Sequence, residues 1–151
     1  MEGLDAAVPL RWFTVKGELA VLTTSSRTSD DVVQYVIQLE RQSGELNLVA
    51  GYAGEVITAR RSAFSFAPDR GLARAFLVRA GYTIGPIRSL AVEAAVRQTG
   101  EGLWLKTEYS QATGAHWRST LTGTIVAGSS ADFFGQYRRN SHVLATLRYS
   151  F

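Results

Sequence analysis

Two histidines are the residues in this sequence best suited to metal or acid–base chemistry. His116 and His142 fall near opposite ends of neighbouring segments, so we expect no shared metal ion. Ser141 precedes His142, and Asp132 lies upstream, which together could supply a nucleophile, a base and an orienting acid. Adjacent residues of a strand point to opposite faces, however, so Ser141 and His142 would diverge. The sequence therefore predicts no catalytic residues, no metal site and no cofactor, and the protein is not expected to be an enzyme.

Charged side chains form the larger chemical feature. They recur at alternate positions of apolar–polar segments, with both signs in near balance. If the segments form the wall of a barrel with a narrow water-filled lumen, these side chains would pair with one another inside it, because an unpaired confined charge is costly. In a wider pore they would tune ion preference. The predicted lumen-lining residues are Lys16, Glu18, Glu40, Arg79, Glu93, Arg97, Lys106, Glu108, Arg118 and Arg148.

Composition limits the class of protein. A chain of 151 residues suits one domain, residues 1–151. With 46% hydrophobic and 19% charged residues it is not a disordered chain. The absence of cysteine excludes disulfides, and the scattered charges, net +3, predict no nucleic-acid partner. The opening MEGLDAAVPLRW lacks the features of a signal peptide, which leaves a mature chain, a cut chain or a cytosolic protein as interpretations.

Strict alternation of apolar and polar residues is the dominant pattern. The ending SHVLATLRYSF places Val143, Ala145, Leu147, Tyr149 and Phe151 on one parity. A period of two predicts a β-strand with one apolar face. The whole chain predicts an all-β, up-and-down antiparallel fold. Strands are expected at about 10–23, 31–43, 45–57, 71–84, 88–98, 102–111, 115–127 and 141–151, after a lead-in at 1–9.

The lengths of the connections favour a transmembrane β-barrel. Short turns alternate with long connections, except for a short turn at 99–102, and outer-membrane barrels have one rim of short turns and one of long loops. Eight antiparallel strands could close on themselves. The small residues on the polar parity favour the alternative, the C-terminal part of a larger barrel with a wide lumen.

Aromatic residues of the apolar parity fall into two bands. Tyr35, Tyr52 and Phe76 lie toward the long connections. Two bands match the interfacial girdles of membrane barrels, although an ordinary aromatic core is the alternative interpretation. The band toward the short turns contains Phe13, Tyr82, Tyr109, Trp117, Tyr149 and Phe151.

The ending LATLRYSF resembles the C-terminal strand of outer-membrane β-barrel proteins of Gram-negative bacteria. Tyr149 and Phe151 match the family's terminal aromatic pattern, whereas Leu144 and Thr146 stand where it often has a polar residue and a glycine. The longer stretch FFGQYRRNSHVLATLRYSF is similar to the ends of larger porin-like barrels. The resemblance implies a location in the bacterial outer membrane. It also implies contact with the lipid bilayer, and recognition of the last strand, with its aromatic residues, by the barrel-assembly machinery.

Arginine pairs in two long connections suggest one more partner. Residues 60–61 and 138–139 are both Arg-Arg. On an outer rim they could bind lipopolysaccharide phosphates through guanidinium forks, although two solvated loop pairs are the simpler interpretation.

Three functions remain open on the sequence alone. The first is porin-like passive passage of small solutes by a larger barrel that includes this chain. The second is a closed, non-conducting eight-stranded barrel with a structural or surface-recognition role. The third is a soluble β-barrel that binds an apolar ligand. The membrane and soluble alternatives differ in which face points inward, since a membrane barrel turns its apolar face out to lipid and a soluble barrel turns it in.

Overall fold

Nine β-strands form one antiparallel sheet in a computed structural model of the chain, which describes residues 2–25, 30–60, 74–98 and 101–151. The sheet order follows the chain order, so every strand pairs with its sequence neighbours. The prediction of an all-β, up-and-down antiparallel fold is confirmed. The strands are β1 (Glu2–Pro9), β2 (Thr14–Leu22), β3 (Asp31–Ser43), β4 (Leu46–Ala59), β5 (Ala75–Ile84), β6 (Arg88–Arg97), β7 (Gly102–Thr113), β8 (Trp117–Gly128) and β9 (His142–Tyr149).

Two short helices interrupt the connection between β8 and β9. They are α1 (Phe133–Gln136) and a single 3₁₀ turn (Arg138–Asn140). Among the described residues there is no helix with the length and apolar character needed to cross a membrane.

The first strand corrects the sequence analysis. The stretch at 2–9, expected to be a lead-in, forms β1 and pairs with β2 along its whole length, from Glu2 opposite Val21 onward. The first predicted strand begins later than expected, because residues 10–13 form a turn in which the Leu10 amide donates to the Phe13 carbonyl at 2.8 Å. The alternation in EGLDAAVP is weak, with small or charged residues at most positions, which is why pattern reading missed the strand.

The sheet is open, with β1 and β9 as its two edges. Nine antiparallel strands alternate in direction, so β1 and β9 run the same way and cannot pair with each other as antiparallel neighbours. Within the described residues each has only one partner strand. The closed eight-stranded arrangement is therefore not the structure of this chain.

One face of the sheet is apolar across all nine strands. The register carries a single parity from strand to strand, as when Leu4 lies opposite Leu19 and Leu19 opposite Tyr35. We call this the apolar face. In the described part of the chain no other element packs against it, so its side chains are exposed. Among them are Leu4, Val8, Ile37, Leu39, Val56, Phe76, Val78, Tyr82, Trp117, Leu121, Ile125, Val143, Leu147 and Tyr149.

The opposite face, the polar face, is the more sheltered one. Ala53, Ala75 and Ala95 are buried on it, and so are Thr122 and Thr124. Helix α1 packs on this face, against β7 and β8. Burial is therefore inverted relative to a soluble sheet, in which the apolar face is covered and the polar face meets water.

The ends of the strands form two rims of different character. At the short-turn rim lie the turns 10–13, 44–45, 85–87 and 114–116 and the C-terminal residues 150–151. At the long-loop rim lie the start of β1, the ends of β2, β4 and β6, the starts of β3, β5 and β7, and the connection 129–141 between β8 and β9. The strand ends that the longer connections join thus all lie on one side of the sheet.

Candidate functional site

The polar face collects all ten residues predicted to line a lumen. Strand register places them on it together, as when Arg79 lies opposite Glu93 and Glu93 opposite Lys106. They are Lys16, Glu18, Glu40, Arg79, Glu93, Arg97, Lys106, Glu108, Arg118 and Arg148.

Six of these residues form a belt of alternating charge across the sheet. Arg79 Nε lies 3.5 Å from Glu93 Oε1, and Lys106 Nζ lies 3.3 Å from Glu108 Oε2. The pairs are partly exposed, so each contributes only about 0–1 kcal/mol to stability. Together they place three positive and three negative side chains in a row on the polar face. We call these residues the charge belt: Lys16 paired with Glu40, Arg79 with Glu93, and Lys106 with Glu108.

The remaining four residues have different surroundings. Arg118 donates to Ser110 Oγ at 3.3 Å, and Arg148 lies directly opposite Arg118 in the register. Glu18 lies opposite Asp5 in β1. These two like-charged pairings show that the balance of charge is local to the belt and does not extend over the whole face.

Arg97 forms an ion pair with Asp132, which the sequence analysis considered as the orienting acid of a catalytic group. Its Nε lies 3.6 Å from Asp132 Oδ1, and the Asp132 side chain is only 4% exposed. The same carboxylate caps α1, because Asp132 Oδ2 accepts the backbone N–H of Phe134 at 2.8 Å. One buried side chain therefore ties the β8–β9 connection to β6 and also begins the helix.

Two glycines allow α1 to lie this close to the sheet. A Cβ atom at Gly102 would collide with the Asp132 carboxylate, and one at Gly135 would collide with the Ser129 carbonyl. At Gly135 the obstacle is backbone, so only glycine fits, and at Gly102 a side chain would displace the Asp132 carboxylate from its position. The approach of the β8–β9 connection to the polar face is thus built into the local sequence.

Helix α1 packs on a small apolar patch of the polar face, which we call the ledge. The sequence analysis did not predict it. Phe134 is buried with Ala95 and Val126, and Leu77 and Trp104 pack around this cluster. All four sheet residues belong to the polar face. The available signal was the interruption of the polar parity by Leu77, Trp104 and Val126, followed by Asp-Phe-Phe-Gly, a helix-capping residue before two large apolar side chains.

A cavity of about 580 Å³ opens between this ledge and the charge belt. Its apolar lining comes from Leu77, Trp104 and the two phenylalanines of α1. Its polar lining comes from Gln38, Arg79 and Glu93. The arrangement can hold a solute that has both an apolar and a charged part.

The two histidines and Ser141 do not line this cavity. His116 Nδ1 lies 2.9 Å from the Ser150 carbonyl, and His142 Nδ1 lies 2.7 Å from the Asn140 carbonyl. Ser141 Oγ accepts the Val126 N–H at 3.0 Å. In the described ranges no group of three side chains could hold a metal ion.

Aromatic residues on the apolar face form two bands. At the short-turn rim the Tyr149 ring lies 4.8 Å from the Trp117 ring and 5.3 Å from the Phe151 ring, centroid to centroid. Nearer the other rim, Tyr52 lies 5.1 Å from Phe76. The six predicted girdle residues share the apolar parity and lie at the short-turn end: Phe13, Tyr82, Tyr109, Trp117, Tyr149 and Phe151.

The two bands lie at different heights along the strands. Phe76 and Tyr82 belong to the same strand, six residues apart, which is about 20 Å at 3.4 Å per residue.

Of the arginine pairs suggested for lipopolysaccharide, Arg138 and Arg139 lie in the 3₁₀ turn at the long-loop rim. Arg60 directly follows β4, whereas residue 61 lies outside the described residues.

Comparison of the chain with protein-family models, with curated proteins and with solved structures finds no match. The class of protein is therefore defined by the fold alone. It is a nine-stranded open antiparallel sheet with an exposed apolar face, and a polar face partly covered by a short helix.

Proposed function

We propose that this chain forms part of the wall of a transmembrane β-barrel in the bacterial outer membrane. The observation that carries the proposal is the inverted burial, with the apolar face exposed and the polar face sheltered. In lipid, exposed apolar side chains are favourable, and polar side chains belong to the lumen. The strands, 8 to 14 residues long, also suit the ~9–11 residues that a membrane strand needs.

Additional strands must complete such a barrel. The outer edges of β1 and β9 would leave backbone groups unsatisfied in lipid, at several kcal/mol each. Because β1 and β9 run in the same direction, an all-antiparallel closure needs an odd number of further strands. When the chain is refolded alone, two copies would complete the barrel through parallel seams between β1 of one copy and β9 of the other, and this is the form tested in vesicles.

The polar face supports passive passage of small solutes as the role of the completed barrel. The charge belt would line the lumen, and α1 would narrow it from the long-loop rim. The terminal aromatic residues Tyr149 and Phe151 would direct assembly by the barrel-assembly machinery. Arg138 and Arg139 would face lipopolysaccharide at the outer rim.

A second candidate is a non-conducting barrel with a structural or surface-recognition role. The observation in its favour is the packing of Phe133 and Phe134 over the polar face, which occupies part of the lumen side. A soluble barrel that holds an apolar ligand would need the opposite burial.

Solute flux distinguishes these candidates. The chain is refolded from urea into phospholipid vesicles, folding is followed by heat-dependent gel migration, and the influx of small solutes is measured by vesicle swelling. We expect influx with little preference for charge, because the charge belt is balanced. Asp132→Ala should raise influx severalfold, since it removes the helix cap of α1 and the ion pair that ties the β8–β9 connection to Arg97.

The matched control is Asp5→Ala, which removes a carboxylate from the same face at β1, far from α1 along the strand order; its influx should equal that of the unaltered chain. A folded, inserted chain without influx would contradict passage and favour the non-conducting barrel. A folded monomer in water without lipid or detergent would contradict the membrane proposal.

A further inference from the structure

The cavity beneath α1 has an apolar part and a charged margin. Leu77 and Trp104 form the apolar part on the sheet side, and Phe133 and Phe134 form it on the helix side. Its volume, about 580 Å³, falls in the ~300–1,000 Å³ range of small-molecule sites. Gly51 lines it as well, where an added Cβ would crowd the Gln38 side chain and the Ile37 carbonyl.

The charged margin consists of a cation and an anion side by side. Arg79 Nε lies 3.5 Å from Glu93 Oε1, and the Arg79 side chain is 64% exposed. An exposed pair of this kind contributes little to stability, so a ligand can rearrange it at small cost. The free end of the guanidinium can bind a carboxylate through two parallel hydrogen bonds. Glu93 can accept hydrogen bonds from an ammonium group, and the Gln38 amide can both donate and accept.

We infer that this cavity binds small zwitterions with an apolar side group, the chemistry of an apolar α-amino acid. The carboxylate would lie on Arg79, the ammonium group on Glu93, and the apolar group between Trp104 and the phenylalanines. A lone anion on Arg79 would be repelled by Glu93, and a lone cation on Glu93 would be repelled by Arg79. An uncharged apolar molecule would bury the ion pair without replacing its hydration, which is unfavourable.

This inference rests on the proposed function, because a solute in transit through the lumen would pass the cavity. The binding step itself needs only the folded sheet with α1 in place. Binding can therefore be tested in detergent micelles, separately from flux across a membrane.

Trp104 provides the reporter for the test. The chain has three tryptophans, so Trp12→Phe with Trp117→Phe leaves Trp104 as the only one. L-Phenylalanine, 3-phenylpropionate and 2-phenylethylamine share the apolar group and differ in charge. Titrated against this variant in micelles, L-phenylalanine should change the emission with a Kd about tenfold below that of either singly charged analogue. Adding Arg79→Gln or Glu93→Gln should remove most of that difference.

The control is a variant that keeps only Trp12, in the turn at 10–13, made by Trp104→Phe with Trp117→Phe; its emission should not respond. Equal affinities for the three compounds, no change at Trp104, or an equal response at Trp12 would each overturn the inference. If vesicle influx persists while the three compounds bind alike, this inference fails and passage stands. If the zwitterion is preferred but an inserted chain gives no influx, the site stands and passage fails.

Discussion

Val92→Arg should lower the free energy of unfolding in a bilayer by about 2–4 kcal/mol, as expected for arginine on the lipid side at the bilayer midplane. Val92 lies in the middle of β6 on the apolar face and is 36% exposed. In a membrane this position meets lipid, whereas in water an arginine at an exposed site would change stability by no more than about 0.5 kcal/mol. The size of the loss in stability therefore distinguishes an apolar face that is covered by lipid from one that is exposed to water.

The neighbouring position supplies a matched control. Ala91 lies on the polar face, directly opposite Glu108 in β7, so Ala91→Arg adds the same side chain to the same strand beside an acidic partner. We expect a change within about 0.5 kcal/mol. Urea titrations in phospholipid vesicles, followed by tryptophan fluorescence, compare the two variants. Equal losses, or a larger loss at Ala91, would contradict the assignment of faces.

Removal of the last side chain should nearly abolish assembly in cells. With a signal peptide supplied, Phe151→Ala should reach the outer membrane at a small fraction of the level of the unaltered chain, because the terminal aromatic residue is the proposed assembly signal. Its folded stability should hardly change, since Phe151 is fully exposed and its ring contacts Tyr149 at the edge of the sheet. The heat-modifiable band in outer-membrane fractions measures assembly.

Phe13→Ala is the control for that experiment, because Phe13 has the same side chain and lies at the same rim, next to β2. Its assembly should stay near that of the unaltered chain. The two variants should also refold into vesicles equally well, which separates recognition from stability. Normal assembly of Phe151→Ala in cells would reject the assembly signal.

The strands could be predicted because alternation is local. Each apolar parity is visible within ten residues, as in Val143, Ala145 and Leu147, and the register then follows from the short turns. The first strand escaped because Glu2 stands on the apolar parity, and Ala7 and Pro9 on the polar parity, which weakens its pattern. Its omission changed the strand count from odd to even, and with it the apparent possibility of antiparallel closure.

The site was less accessible to sequence reasoning because its contacts are long-range. Parity alone predicts that all ten charged residues share one face of the sheet, and the register has them on one face; that this face lines a lumen stays a prediction. The partner of Arg97, Asp132, lies in a connection two strands further along, which periodicity cannot reveal. Helix α1 has four residues, too few to show a helical period. The ledge beneath it can be recognised only in the structure, where strand pairing places Leu77 and Trp104 at the same level of the sheet.

The central claim is that the apolar face meets lipid and the polar face meets water. The chain contains no cysteine, so single cysteines can be introduced along β8 at positions 120 to 125, spin-labelled, and reconstituted in vesicles. Accessibility to oxygen, which concentrates in lipid, is then compared with accessibility to a water-soluble nickel complex. We expect oxygen accessibility to peak at Leu121 and Ile125, and the ratio of nickel to oxygen accessibility to peak at Thr120, Thr122 and Thr124. The opposite phase, or no alternation between the two reagents, would contradict the account.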